Sequence, residues 1–275
     1  MKQLIQKDSS LLEALPLLGP DSSKTTLRSW LKQGRILVSG KVVRQANFLV
    51  KPGDEISLLA RKQFAHEGIE ILYEDKDLVV IYKPEGLLSV ATKFDSTYTA
   101  HAVMKQRKEG IVYPVHRLDR ETSGIMMMAY SEKAREGLKK QFQEHTIARE
   151  YVAIVEGEIK ENGTWQSYLK EEEDYRVHSA DGGKLSTTHY TILKKLRSFT
   201  VLKLKLETGR KNQIRVHCKE AGHPIVGDQK YGATTNPIGR LGLHAKHLGF
   251  IHPITQKRLS FDSELPESFT KLQGF

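Results

Sequence analysis

Leu27, Trp30 and Leu31 fall on one face of a helical wheel, so the pattern predicts a short amphipathic helix over 23–33, with Ser23 as its N-cap and Gly34 as its stop. The period then shortens. Two apolar runs in Arg-Ile-Leu-Val-Ser-Gly-Lys-Val-Val flank Ser39-Gly40, a hairpin turn signal, and a further run follows from Val50 to Leu58. A helix followed by a small hairpin, dotted with Lys and Arg, predicts a compact α+β binding module over residues 1–60. Residues 61–68 are polar and carry no clear period, which predicts a linker.

From residue 69 onward the strand period dominates. Ile69 to Tyr73 and Leu78 to Tyr82 are strand-like runs separated by the turn signal Glu74-Asp75-Lys76-Asp77, and the second leads into the loop Lys83-Pro84-Glu85-Gly86. Residues 132–145 suit a helix that gathers Ala134, Leu138 and Phe142 on one face; strand-like runs follow at Tyr151 to Val155, Thr187 to Leu193 and Phe199 to Leu206. Because the strands cluster without regular intervening helices, residues 69–275 are expected to form an α+β domain with a mainly antiparallel, mixed sheet. No internal repeat or low-complexity tract is evident.

Composition narrows the class. A chain of 275 residues with 39% hydrophobic content is long enough for one large domain and a small one, each with a core. The net charge of +10 favours a polyanionic partner such as nucleic acid, although it also fits an ordinary basic protein. The single cysteine, Cys218, excludes an intrachain disulfide framework and a cysteine-rich zinc site. No apolar run approaches the roughly 18 residues that a membrane span requires. A soluble, monomeric protein of the cytoplasm is the expectation.

Two segments carry candidate chemistry. Residues 114–124, Pro-Val-His-Arg-Leu-Asp-Arg-Glu-Thr-Ser-Gly, set Asp119 among Arg117, Arg120 and His116. Cationic neighbours favour the ionised carboxyl, so Asp119 is expected to be an anion at neutral pH, suited to act as nucleophile or base. On its own such a segment is also compatible with a surface turn and an ordinary ion pair. The second segment runs from Glu207 to Cys218 and on through Gly222 to Gly232; it suggests a chain that bends to present Arg210, Gln213 and Arg215, or a basic strand edge that touches phosphate. His217, His223 and Cys218 lack the second ligand cluster that a metal site needs, so no metal is expected.

With these residues in view, the chain resembles the RluA-type RNA pseudouridine synthases over residues 69–265. The likeness rests on His116 to Gly124, on Tyr82 to Val90 (YKPEGLLSV), on Ala148 to Ala153 (AREYVA) and on TGRKNQIRVH from Thr208. The N-terminal pattern, with GRILVSGKVV and VKPGDEI, is similar to the S4-type RNA-binding domain. The resemblance implies a pseudouridine synthase type catalytic domain preceded by a small S4-type domain. It further implies Asp119 as the catalytic aspartate, Tyr151 as the active-site tyrosine, Arg215 as the partner of Asp119, Ile214 near the target base, and Arg117 and His116 toward the RNA.

Isomerisation of uridine within RNA adds and removes no atoms, so neither cofactor nor metal is expected. The carboxylate can attack ribose carbon 1 or remove the proton on carbon 2, and the sequence leaves both routes open. Tyr151 can stack on uracil and offers a phenol for the proton step at carbon 5. The base must leave its stack, which costs a few kcal/mol and favours loops or bulges in rRNA or tRNA. Lys24, Arg28, Lys32 and Arg35 are expected to add phosphate contacts from the N-terminal module. The chain departs from many relatives at Ser89-Val90, where they carry His-Pro, and at Asn212, where they carry histidine. A noncatalytic RNA-binding factor and a nucleoside hydrolase or glycosidase are the rival readings, the latter requiring a second carboxyl as general acid.

Overall fold

The computed structural model describes residues 2–32, 35–58, 68–92, 98–172 and 176–272, with the side chains of Ser29 and Lys32 outside that description. Gly34 and all of the expected linker except Gly68 also lie outside it. The chain divides into two compact units, Met1–Gly68 with Val103–Gly110 and Ile69–Ala102 with Ile111–Phe275.

In the first unit, β1 (Lys2–Leu4), β2 (Ser9–Ser10), α1 (Leu11–Ala14), α2 (Lys24–Lys32), β3 (Ile36–Val38), β4 (Lys41–Val42), β5 (Leu49–Val50) and β6 (Glu55–Leu58) follow one another. The sheet order is β1-β6-β3-β4, with β2 and β5 paired separately. The expected helix is α2, and Ser23 Oγ accepts the Thr26 N–H at 3.2 Å as its cap. Leu27 and Leu31 from α2 join Leu11, Leu15, Ile36, Val38 and Ile56 in one core. The β3–β4 hairpin turns on Ser39 and Gly40, both at positive φ (48° and 81°), as a two-residue turn that matches strand twist requires. The unanticipated α1 is fixed by a capping box, in which Ser10 and Glu13 satisfy each other's backbone N–H.

The second unit carries the long sheet. Its strands are β7 (Glu70–Glu74), β8 (Leu78–Lys83), β9 (Tyr113–Pro114), β10 (Ser123–Ala129), β11 (Ala148–Glu156), β12 (Gly163–Glu171), β13 (Val177–Ser179), β14 (Lys184–Lys195), β15 (Phe199–Leu206), β16 (Leu243–Ile251) and β17 (Arg258–Asp262). They pair in the order β13-β12-β14-β15-β11-β16-β10-β8-β7, with β17 on β16 and β9 on β10. The helices are α3 (Ala100–Lys108), where the two units divide, α4 (Glu132–Gln143), α5 (Gln213–Glu220) and α6 (Glu267–Lys271).

Alternation along β11 shows how the sheet is sandwiched. Ala153 and Val155 share a core with Ile214 and Cys218 of α5, whereas Val152 and Ile154 pack with Phe269 of α6. On α4, Ala134, Leu138 and Phe142 cover Leu78, Val80, Ile125 and Met127, as their spacing predicts.

Among the described residues the sheet has one parallel strand pairing, β10 with β16, and it joins two antiparallel halves. There Gly124 lies opposite Ala245 at a φ of 118°, and a Cβ at this glycine would come within 2.2 Å of the Ala245 carbonyl oxygen. No L side chain fits that backbone or that gap. Gly124→Ala is therefore expected to destabilise the protein by about 3 kcal/mol or more. An unchanged denaturant midpoint would contradict this account of the joint.

Candidate active site

The loop between β9 and β10 carries Asp119, and the preceding motif holds it in place. Ser89 Oγ takes the Leu118 N–H at 3.0 Å and donates to the Leu118 carbonyl at 2.6 Å. Lys83, fully buried, donates to the carbonyls of Pro84 and Leu87 at 2.8 Å and of Arg120 at 3.2 Å. Burial pushes its ammonium down to about 7, partly opposed by Asp119 and Glu121. Arg120 donates to the Gly86 carbonyl at 3.1 Å and is thereby directed to the neighbouring loop.

Ser89 thus pins the residue before the aspartate. Ser89→Ala leaves the buried Leu118 amide without a partner. The expected cost is about 1–3 kcal/mol in denaturant unfolding. An unaltered denaturant midpoint would show that the pin is dispensable.

Asp119 borders a cavity of about 540 Å³ that Tyr151, Arg215, Arg117, His116, Ile214, Arg210 and Gln213 also line. The sequence-predicted residues of the second unit therefore converge on one site. Tyr151 comes from the start of β11, and Ile214 and Arg215 from the first turn of α5.

Arg215 is 8% exposed and bonds in three directions. Its Nε and Nη2 donate to both oxygens of Asp228 at 2.7 Å, while Nη1 lies 3.5 Å from Asp119 Oδ2 and 3.7 Å from Glu121 Oε2. The Tyr231 ring sits 5.0 Å from its Cζ. The bidentate clamp on Asp228 fixes the plane of the guanidinium, so its third nitrogen is aimed rather than free.

Asn212 completes the carboxylate's surroundings. With its oxygen accepting the Tyr231 hydroxyl at 2.9 Å, its NH2 lies 2.8 Å and 3.2 Å from the two Asp119 oxygens. Asn212 has left-handed backbone angles (φ 52°, ψ 19°), a conformation that asparagine tolerates well.

Several expectations need correction. Asp119 is not held below the ordinary carboxylate range. Burial raises its pKa, and Arg215 and Arg117 only partly oppose that rise. His116 adds no charge, since burial pushes its pKa down to about 3. Its Nε2 accepts the Met127 N–H at 2.9 Å, and its ring lies 5.1 Å from that of Phe142.

Gln213, 2% exposed, was expected to reach RNA but is an internal strut. Its oxygen accepts from Thr208 Oγ1 and the Arg210 N–H, and its nitrogen donates to the Thr187 carbonyl and Thr188 Oγ1. The alternating segment after Gly209 forms the helix α5 rather than a strand edge.

Arg117 and Arg210 are exposed at the cavity. In the first unit Lys24 and Arg28 are exposed on α2 and Arg35 is partly exposed, while the Lys32 side chain lies outside the described residues. His217 Nδ1 and Nε2 engage Thr188 and Ser167, and Cys218 is buried in the core.

Among the described residues one group, Asp75, Asp77 and His252, brings metal-ligand atoms within reach of one another. Asp75 is instead occupied by hydrogen bonds from Tyr73, His252 and the N–H groups of Asp77 and Leu78, which makes the group a turn lock. Asp228 and Tyr231, within the span from Gly222 to Gly232, Thr122 in the segment of Asp119, and Arg149, two residues before Tyr151, join the site with no local sequence signal of their roles.

Comparison with known proteins agrees with this geometry. The family model of RNA pseudouridylate synthase matches residues 77–220, and the S4 domain model matches residues 15–56. The chain is 34% identical to an uncharacterized RNA pseudouridine synthase of Bacillus subtilis, YlyB, over 97% of this chain and 94% of that protein. It is 35% identical to the ribosomal large subunit pseudouridine synthase D of Pseudomonas aeruginosa, over 92% of this chain and 87% of that one. The solved structure of human RNA pseudouridylate synthase domain containing 4 superposes with a TM-score of 0.61 at 25% identity, covering 73% of this chain and 90% of the human one. A chain with this sheet, an aspartate cavity of this form and an S4 domain at its N-terminal end belongs to the RNA pseudouridylate synthase family and is an isomerase of uridine in RNA.

Proposed function

We propose that the chain converts a uridine of large-subunit ribosomal RNA to pseudouridine, with Asp119 acting at the ribose and with no cofactor or metal. The single observation that carries the catalytic part is the Asp119 carboxylate, held by Asn212 and faced by Arg215 in the cavity that Tyr151 lines. Support for the substrate comes from relatives named ribosomal large subunit pseudouridine synthase D.

In this reading the target nucleotide leaves its stack and Arg117, exposed at the cavity mouth, takes part in holding the gap in the RNA. Asp119 attacks C1′ or removes the C2′ proton; the N1–C1′ bond breaks, the base turns, and C5 bonds to C1′, which expels the Asp119 carboxylate from its ester in the first route and is accompanied by return of the proton to C2′ in the second. The C5 proton then departs and N1 gains one, so atoms balance without redox chemistry. Tyr151, whose phenol is kept protonated by burial, faces the base. Residues 1–60 act as a tethered S4-type module that raises the local RNA concentration for the 69–275 catalytic domain. The reading extends to a monomer working in the cytoplasm.

The test is to incubate the protein with large-subunit rRNA and tRNA transcripts in the presence of a chelator, then map pseudouridine by chemical adduct and reverse-transcription stops. A stop at a defined rRNA uridine is expected. Stops confined to tRNA would overturn the substrate, and activity lost only with chelator would overturn the metal-free mechanism.

A further inference from the structure

The cavity holds a buried cation that the steps above leave unused. Arg149, on β11 two residues before Tyr151, is 8% exposed and lines the cavity beside Gly209. Among the described residues its Nε has no hydrogen-bond partner, and its one hydrogen bond is a long one, 3.4 Å from Nη2 to the Glu207 carbonyl. The Phe142 ring, 5.5 Å from its Cζ, supplies the other contact. Among the described residues no carboxylate neutralises it, in contrast to Arg215, whose charge meets Asp228 and Asp119. A buried guanidinium without an anion is costly to maintain.

Gly209 leaves room for this group, since any Cβ there would come within 2.3 Å of Arg149 Nη1. A second unclaimed polar atom, Thr122 Oγ1, also belongs to a cavity-lining residue and is buried without a partner. Unsatisfied buried groups are rare in folded proteins, and two of them at one cavity mark it as completed by a ligand.

We propose that Arg149 supplies the positive charge that stabilises the uracil anion released when the N1–C1′ bond breaks. The inference rests on the pseudouridine synthase reading of this cavity. When that bond breaks, its electron pair leaves with the base and spreads from N1 onto O2 and O4. This holds whether Asp119 attacks C1′ or removes the C2′ proton. Arg149 keeps its protons throughout and acts by charge and hydrogen bonding in a site of low dielectric, where a fixed donor is worth far more than in water. The exposed Arg117 and Arg210 are screened by solvent and cannot take this part as effectively. The same charge favours a base that carries carbonyl oxygens on both sides of N3, which is uracil rather than cytosine.

The experiment compares the parent, Arg149→Met and Arg149→Lys in single-turnover assays at saturating RNA. One RNA carries uridine at the target and a second carries 5-fluorouridine there, whose electron-withdrawing fluorine stabilises the departing anion intrinsically. Loss of the target N-glycoside is followed, and RNA affinity is measured separately as a function of salt. Arg149→Met is expected to lower the rate on uridine about 100-fold, with a deficit on 5-fluorouridine at least about fivefold smaller and with affinity and salt dependence unchanged. Arg149→Lys, which keeps the charge, should stay within about tenfold of the parent. Should Arg149→Met fail to fold, Gly209→Ala provides the same comparison, because it displaces the guanidinium without removing it.

Equal deficits on the two substrates overturn the proposal in favour of a structural role. A loss confined to affinity and salt dependence overturns it in favour of a phosphate contact. Failure of the parent to form pseudouridine from the uridine RNA overturns the underlying reading as well, which separates the two failures.

Discussion

Asp119→Asn is expected to bind RNA with the parent's affinity and to form pseudouridine at less than about one-thousandth of the parent's rate. The amide keeps an oxygen that can accept from Asn212, so the loop geometry survives, but it offers neither a nucleophile nor a base to the ribose. Single-turnover assays with a mapped target uridine read the loss; a variant that keeps a tenth of the activity would remove the aspartate from the mechanism.

The pH dependence follows from the same group. Because burial raises the Asp119 pKa, the inactive protonated form extends above pH 3.8, and the acid limb of the parent's rate profile should lie above that of an ordinary carboxylate. Stability runs the other way. The folded chain holds this proton more tightly than the unfolded chain, so the group's contribution is complete below its unfolded pKa and is lost as pH rises through the folded one. At pH 7 the ionised carboxylate is a net burden, and Asp119→Asn should melt no lower than the parent.

The second large effect is expected at Arg215. Arg215→Met strands Asp228, only 1% exposed, and takes away the cation that faces Asp119. Breaking a buried pair from one side typically costs about 3–5 kcal/mol. The acid limb should also move further up in pH, because the main opposition to burial at Asp119 is gone. The double variant Arg215→Met with Asp228→Asn removes the stranded charge, so denaturant unfolding should show most of the stability restored while activity stays low. Recovery of both together would mean that Arg215 serves only the fold.

Much of the site was legible because its residues are dense in sequence. The segment His116 to Gly124 and the stretch from Thr208 to His217 converge on one cavity, and Asp119, Tyr151, Ile214 and Arg215 line it together. What the chain order hid was burial. Arg120 is adjacent to Asp119 in sequence yet donates to the Gly86 carbonyl, whereas Asp228 and Tyr231, far along the chain, set Arg215 and Asn212 in place. The direction of the Asp119 pKa shift differs from the sequence expectation for that reason, since sequence neighbours indicate charge but not desolvation.

The same distinction applies to the elements. The Ser39-Gly40 turn and the α4 face follow local rules. In α5, Gln-Ile-Arg-Val-His-Cys alternates polar and apolar residues like a strand, and buried hydrogen bonds through Gln213 and His217 anchor it as a helix. The helix α3 has just Ala100, Val103 and Met104 buried in a polar stretch, a pattern too sparse to read.

The parallel joint between β10 and β16 bears on how the molecule comes into being. Ser123 and His244, bonded across it at 2.8 Å, are 121 residues apart in the chain. Apart from β11 with β16, the antiparallel pairings join strands much closer in the chain, whereas this seam demands closure of a very long loop. Asp119 enters from one side of the seam, and Tyr151 and Arg215 from the other. Refolding chains should therefore acquire most of their ordered backbone before any catalysis, with activity returning only in the slowest phase, when the seam closes.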